Sequence, residues 1–157
     1  MRHTTILVAF AAMAVLGCNK GGESRSPLLE AARKCASGDG DLSCTVPIFN
    51  VHDLQASQSY YRDALGFKVD WQYGDPPDFG SVSRGHAVIF MCKACQGTPG
   101  AWVMMFAPDV DRLHEEFRSN KAIIRMPPTN MPWGMREMHV SDPNGNVLRF
   151  GAGIDDD

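Results

Sequence analysis

Glu137 and His139 stand two residues apart in the stretch Met135-Arg-Glu-Met-His-Val-Ser141, which alternates on a period of two. On a strand, residues i and i+2 share a face, so the carboxylate and the imidazole can meet there as an acid/base pair or as two ligands of a divalent ion. A metal site needs a third ligand at a matching place, and the other histidines do not supply one: His52 reads as a strand–helix junction, His86 as a turn and His114 as a helix position. The structural role is therefore the plainer reading for this pair. No Ser/His/Asp or Cys/His arrangement stands out, and no glycine-rich phosphate loop occurs.

The elements that would position the pair follow from the local pattern. Met135–Val140 meets Asp142-Pro-Asn-Gly145, and Val147–Phe150 runs back, which predicts a β-hairpin. Pro143 fixes a φ at the turn and Asn-Gly accepts the positive φ of a tight reversal. Earlier, Val46–Val51 reads as a strand, Asp53 as an N-cap, and Leu54, Tyr61 and Leu65 as one helix face that Gly66 terminates. Phe67–Trp71 is a strand, and Phe79–Ser83 with Ala87–Met91 forms a hairpin through Arg84-Gly85-His86. From Ala101 the order recurs: Trp102–Phe106 as strand, Asp109–Asn120 as helix with Val110, Leu113 and Phe117 inward, Ile123-Ile124 as strand, a Pro-rich loop over 127–132, then the closing hairpin. Tyr61 and Phe117 fall at the same offset in the two helices, a weak internal repeat. Modules of several strands with one helix each exclude a doubly wound α/β fold, and the predicted class is α+β: paired βαβββ modules, about 45–96 and 101–152, whose curved, mostly antiparallel sheets face a cleft.

The start of the chain carries a different message. Arg2 and His3 precede the apolar run Ile6–Leu16, too short for a stable span, so residues 1–17 read as an export signal. Val15-Leu-Gly-Cys18 resembles the lipobox of bacterial lipoproteins, which implies lipidation of Cys18, a membrane anchor and residence in the cell envelope, facing the periplasm in a Gram-negative host. Residues 18–41 are polar and small, a tether with at most a brief helix from Leu28. Residues 42–157 then form one domain with a proper core. With Arg2 gone, 14 basic face 18 acidic residues, a balance without basic clusters that excludes a nucleic-acid partner and weakly suits a cationic ligand. Export makes disulfides the default for Cys35, Cys44, Cys92 and Cys95, with the local pairs 35–44 and 92–95 favoured. A redox centre or half a zinc site at Cys92-Lys-Ala-Cys95 remains the alternative.

Asp53-Leu-x-Ala-Ser-x-x-Tyr-Tyr-x-x-x-Leu-Gly-Phe67 resembles the first-helix signature of the vicinal oxygen chelate superfamily of glyoxalases, extradiol dioxygenases and bleomycin resistance proteins. The Asp-Pro-Asn-Gly turn sits at the expected far end, and the resemblance covers about 45–152. The metal-dependent branches would require a His near Val46, another near Gly100 and a Glu near Arg149; none is present, and a guanidinium offers donors only. Val46-Pro47, Asp78-Phe-Gly-Ser-Val82, Gly100-Ala-Trp-Val103, Asp109–Phe117 and Gly134-Met-Arg-Glu137 are instead similar to bleomycin resistance proteins.

That likeness implies a metal-free homodimer without a cofactor that sequesters a cationic aromatic compound, conferring antibiotic resistance. The pocket would be lined by Phe49, Phe79, Trp102, Met104, Trp133 and Arg136, with Met91, Met131, Met135 and Met138 as further adaptable surface, whereas Met105, which shares a face with Val103, is placed in the core. The runner-up is a glyoxalase-type lyase, isomerase or dioxygenase that uses Glu137, His139 and His86 as ligands, and a third possibility is an envelope interaction module that lost its pocket.

Overall fold

The computed structural model describes residues 45–154. The expected signal 1–17, the lipidation site Cys18, the tether 18–41 and the Cys35–Cys44 pair lie outside the described residues. Two modules of identical order fill the described chain. The first is β1 (Ile48–Val51), α1 (Leu54–Asp63), β2 (Lys68–Gly74), β3 (Pro77–Arg84) and β4 (Ala87–Lys93). The second is β5 (Trp102–Phe106), α2 (Val110–Ser119), β6 (Ile123–Met131), β7 (Met135–Ser141) and β8 (Val147–Gly153). Each forms a four-stranded sheet, ordered β1-β4-β3-β2 and β5-β8-β7-β6, in which the first strand pairs parallel with the last and the rest are antiparallel. The repeat legible in the two helices is thus a repeat of the whole module. Among the described residues no helix is long and apolar enough to cross a membrane.

Both helices start the same way. Asp53 and Asp109 hold extended backbones, and their carboxylates accept from Ala56 N at 2.8 Å and Arg112 N at 2.9 Å, caps of the kind that contribute about 1 kcal/mol each. Past α1 the chain turns at Gly66, φ +66°, where a Cβ would lie 2.9 Å from both Arg84 Nη1 and Glu116 Oε1. Glycine there admits the Arg84–Glu116 pair that ties the two modules.

The helices lie on the inner sides of the sheets, and one core joins them. Leu54, Tyr61, Leu65 and Phe67 meet Val110, Leu113 and Phe117 together with Val82, Ile89, Met138, Val140, Leu148 and Phe150. Each sheet therefore buries one face and leaves the other open. Strand alternation decides which residues face where, and it corrects three expectations. Phe49, expected in the pocket, is 1 % exposed on the helix side, opposite Met91, and Met91 and Met138 are core rather than adaptable surface. Met105 packs against the core as expected.

The expected Pro-rich loop is also corrected, because β6 runs through Pro127 and Pro128 to Met131. It is an edge strand whose register shifts between Met126 and Thr129, so the missing proline N–H groups break no ladder.

The β7–β8 turn is more than a reversal. Asp142, 2 % exposed, accepts from the amides of Asn144 and Asn146, from Asn146 Nδ2 and from the Tyr61 hydroxyl of α1. Asn146 in turn accepts from the amides of Gly100 and Ala101 at 3.1 Å, and Asn144 reaches His52 and Ser57. Tyr60 donates to Ser141 O and receives Ile123 N. Burial beside Asp142 holds the Tyr61 hydroxyl well above its ordinary pKa, so it stays a donor.

Candidate functional site

The side chains of β5, β7 and β8 that alternate away from the core build the open face of the C-terminal sheet. The register sets Met104 beside Arg149 and Arg149 beside His139, and one step along sets Phe106 beside Gly151 and Gly151 beside Glu137. The terminal methyl groups of Met104 and Met135 lie over Gly151, where a side chain would displace the flexible Met104.

At the centre lies Glu137, 1 % exposed. Its Oε1 accepts from Trp133 Nε1 at 2.7 Å and Arg149 Nη2 at 2.6 Å, and its Oε2 accepts from Arg149 Nε at 2.6 Å. The Arg149 guanidinium also lies over the Trp133 ring, 5.5 Å from its centroid. His139 Nε2 stands 3.9 Å from Glu137 Oε2, buried and without a hydrogen-bond partner, and the ring meets Trp102 edge-on at 5.3 Å. The result is a continuous row, Trp102–His139–Glu137/Arg149–Trp133, whose two tryptophans are each 59 % exposed.

Electrostatics follow from these contacts. The hydrogen bonds of Arg149 hold the Glu137 carboxyl below its ordinary range, although burial works against them. Burial pushes His139 below the ordinary histidine value; the Arg149 charge adds to this and Glu137 opposes it. The row thus combines a carboxylate, a guanidinium and a neutral imidazole.

Trp102, Trp133, Met104, Glu137 and His139 are therefore brought together as a set. Arg136 is not with them. The hairpin alternation turns it to the other side, where it binds Asp111 in a two-pronged pair at 2.5 and 2.6 Å and Asn130 at 2.7 Å, beside a cavity of about 390 Å³ that Ile154 also lines. Phe79 lies on the N-terminal sheet in an edge-to-face triad with Trp71 and Phe90, with centroids 5.3 to 5.7 Å apart. The indole N–H of Trp71 there is buried and unpartnered. His86 lines a separate cavity of about 410 Å³ between the modules, floored by Phe67, Met105 and Phe150. Cys92 and Cys95 form a disulfide at the end of β4, the pairing expected for them.

Sequence reasoning did not assign Arg149 to the site, nor Trp71 and Phe90. The signal for Arg149 was available: the Asp142–Asn146 turn fixes the β7–β8 register, and that register sets Arg149 directly opposite His139.

A metal of the kind used by the metal-dependent branches does not fit this row. The Glu137 oxygens are taken by a guanidinium and an indole, Arg149 presents donors only, and among the described residues no three His, Cys, Asp or Glu side chains gather to hold an ion.

Comparison with known proteins agrees with this architecture. A family model described as glyoxalase superfamily protein matches residues 31–157. No curated protein matches the chain. Among solved structures, the bleomycin-binding protein of bleomycin-producing Streptomyces verticillus, complexed with copper(II)-bleomycin, is 30 % identical, covering 69 % of this chain and 94 % of that one at a TM-score of 0.58. The bleomycin resistance determinant encoded on transposon Tn5 is 16 % identical, covering 70 % and 97 % at 0.61. Lactoylglutathione lyase of Agrobacterium tumefaciens is 17 % identical, covering 71 % and 95 % at 0.58. The last two show the shared fold alone. With a family match over most of its length and the paired βαβββ sheets, the chain belongs to the glyoxalase superfamily.

Proposed function

We propose that this protein binds and sequesters a small, flat aromatic compound on the open face of its C-terminal sheet without transforming it. The observation that carries the reading is the pair of exposed tryptophans, Trp102 and Trp133, set at the two ends of a face whose central carboxylate is already neutralised by Arg149. Exposed indoles next to the thioether of Met104 offer stacking and adaptable apolar contact, worth about 0.5–1.5 kcal/mol per aromatic pair beyond area burial. Chemistry by Glu137 and His139 has weaker support. The carboxylate accepts three hydrogen bonds and has no free role as a base, and His86 lies away from the face. The 30 % identical structure bears a bleomycin ligand by name, which supports the binding branch of the superfamily.

A second copy belongs to this reading. The inter-module contacts run through the helices and the inner sides of the sheets, Tyr60 to Ser141, Tyr61 to Asp142 and Arg84 to Glu116, so both open faces point away from the shared core. A homodimer would set the Trp71–Phe79–Phe90 face of one chain over the Trp102–Trp133 face of the other. We also propose that Cys18 is lipidated and anchors the protein in the cell envelope; radiolabelled palmitate incorporated into the full chain but not into Cys18→Ser tests it.

The binding reading is tested by tryptophan-fluorescence titration of the full-length chain with bleomycin and with the neutral aromatic acridone. Saturable quenching by at least one, weakened about tenfold or more in Trp102→Ala, with the compound recovered chemically unchanged, is the expected result. No saturable response to either compound, or recovery of an altered compound, would overturn it.

A further inference from the structure

We propose that the compound held on the C-terminal open face carries an oxyanion, most simply a carboxylate, and that Arg149 receives it. The proposal rests on the binding reading above. A guanidinium has five N–H donors in a rigid fork. Nε and Nη2 of Arg149 each donate to Glu137 at 2.6 Å, while Nη1 has no acceptor among the described residues. The two charges of this pair are unequally presented, because the Arg149 side chain is 35 % exposed and that of Glu137 is 1 % exposed. A molecule approaching the face therefore meets the positive member.

The fork is also held in place before anything binds. Glu137 grips one edge, and the Trp133 ring lies 5.5 Å from the guanidinium carbon, so the remaining edge is oriented rather than free to rotate. The other residues that the register and contacts place on this face, Trp102, Met104, Met135 and His139, carry no negative charge. A cation would find no carboxylate there except one already accepting three hydrogen bonds. An oxyanion would find a two-donor edge flanked by indole surface. The acidic balance of 18 against 14 basic residues suggested a cationic ligand, but it sums the chain beyond residue 17 and does not describe this face.

The test is calorimetric titration of the full-length chain with 2-naphthoate, 2-naphthamide and 2-naphthylmethylammonium, with the ¹H–¹⁵N indole signals of Trp102 and Trp133 reporting location. We expect the naphthoate to bind about tenfold or more tighter than the ammonium, with the amide between them and both indole signals moving. Arg149→Lys, which keeps the charge and loses the fork, weakens the naphthoate several-fold and leaves the amide unchanged. The double variant Glu137→Gln/Arg149→Met, which leaves no buried carboxylate unpaired, abolishes the preference while the indole shifts persist. Equal or tighter binding of the ammonium, or a preference that survives in the double variant, overturns the proposal. If all three compounds bind without charge preference, the assignment to Arg149 falls and the binding reading stands; if none binds, both fall.

Discussion

Two carboxylates on the same hairpin, five residues apart, are both buried, Glu137 at 1 % and Asp142 at 2 % exposure, yet they are satisfied in opposite ways. Asp142 is surrounded by neutral donors, two backbone amides, a carboxamide and a phenol, and every one of them ties the turn to itself or to α1. Glu137 is satisfied by a guanidinium and an indole whose other surfaces face outward. A carboxylate whose donors all lead inward holds the fold together. One whose donors keep unused surface toward solvent organises a face that something else can occupy.

Breaking the inward-facing carboxylate is expected to have the largest effect. Asp142→Ala leaves the Tyr61 hydroxyl and the amides of Asn144 and Asn146 without an acceptor and the Asn146 carboxamide with only the Asn50 carbonyl at 3.5 Å, and we expect a loss of about 3 kcal/mol, seen as a lower urea midpoint at unchanged slope. Tyr61→Phe removes one of these contacts and should lower the midpoint by a fraction of that. If Asp142→Ala unfolds at the wild-type midpoint, the turn does not anchor the hairpin to α1.

Breaking the outward-facing carboxylate by removing Arg149 comes next. Arg149→Met takes away the first cause of the depressed Glu137 pKa and leaves burial, which raises it. The sign is then fixed. In the wild type the pair's contribution is fully present above the unfolded glutamate pKa of about 4.3 and is lost as pH falls through the lower folded value. In Arg149→Met the folded value moves up, so acid unfolding should begin at a higher pH than in the wild type. Glu137→Gln added to Arg149→Met should restore part of the loss, because no buried charge is left alone. Circular dichroism across an acid titration of the three proteins measures all of this, and coincident acid midpoints would show that the pair carries no linkage.

The same comparison explains how much was legible beforehand. The Asp-Pro-Asn-Gly turn was readable because its residues are chosen by backbone geometry, which is local. The capping aspartates, the two helices and the module order were readable for that reason too. The hub around Asp142 was not, because its partners Tyr61, Gly100 and Ala101 come from distant parts of the chain.

At the site, strand periodicity placed Glu137 and His139 on one face, but Phe49 was assigned to the pocket by likeness, without asking which way it alternates. Its register opposite Met91 puts it in the core. Arg136 failed the same way, one step out of phase with Glu137. Arg149 was read only as a missing metal ligand, since the cross-strand pairing that makes it the partner of Glu137 requires the hairpin register and not just the hairpin.

The smallest effect separates the outward-facing network from the rest of the fold at milder pH. Burial, reinforced by the Arg149 charge, holds His139 below its ordinary value of about 6.5, so the folded protein resists the proton that the unfolded chain accepts. Between the folded value and about 6.5 the unfolded state binds more protons, and stability must rise with pH. The contribution is complete above about 6.5 and is lost as pH falls toward the folded value. His139→Gln removes this component and keeps a polar group against Trp102. The difference in Tm between pH 7.5 and pH 5.5 should therefore be smaller in His139→Gln than in the wild type. An equal difference in the two proteins would mean that the imidazole exchanges protons as freely in the fold as out of it, and that the unpartnered Nε2 beside Glu137 is open to water and not enclosed by the face.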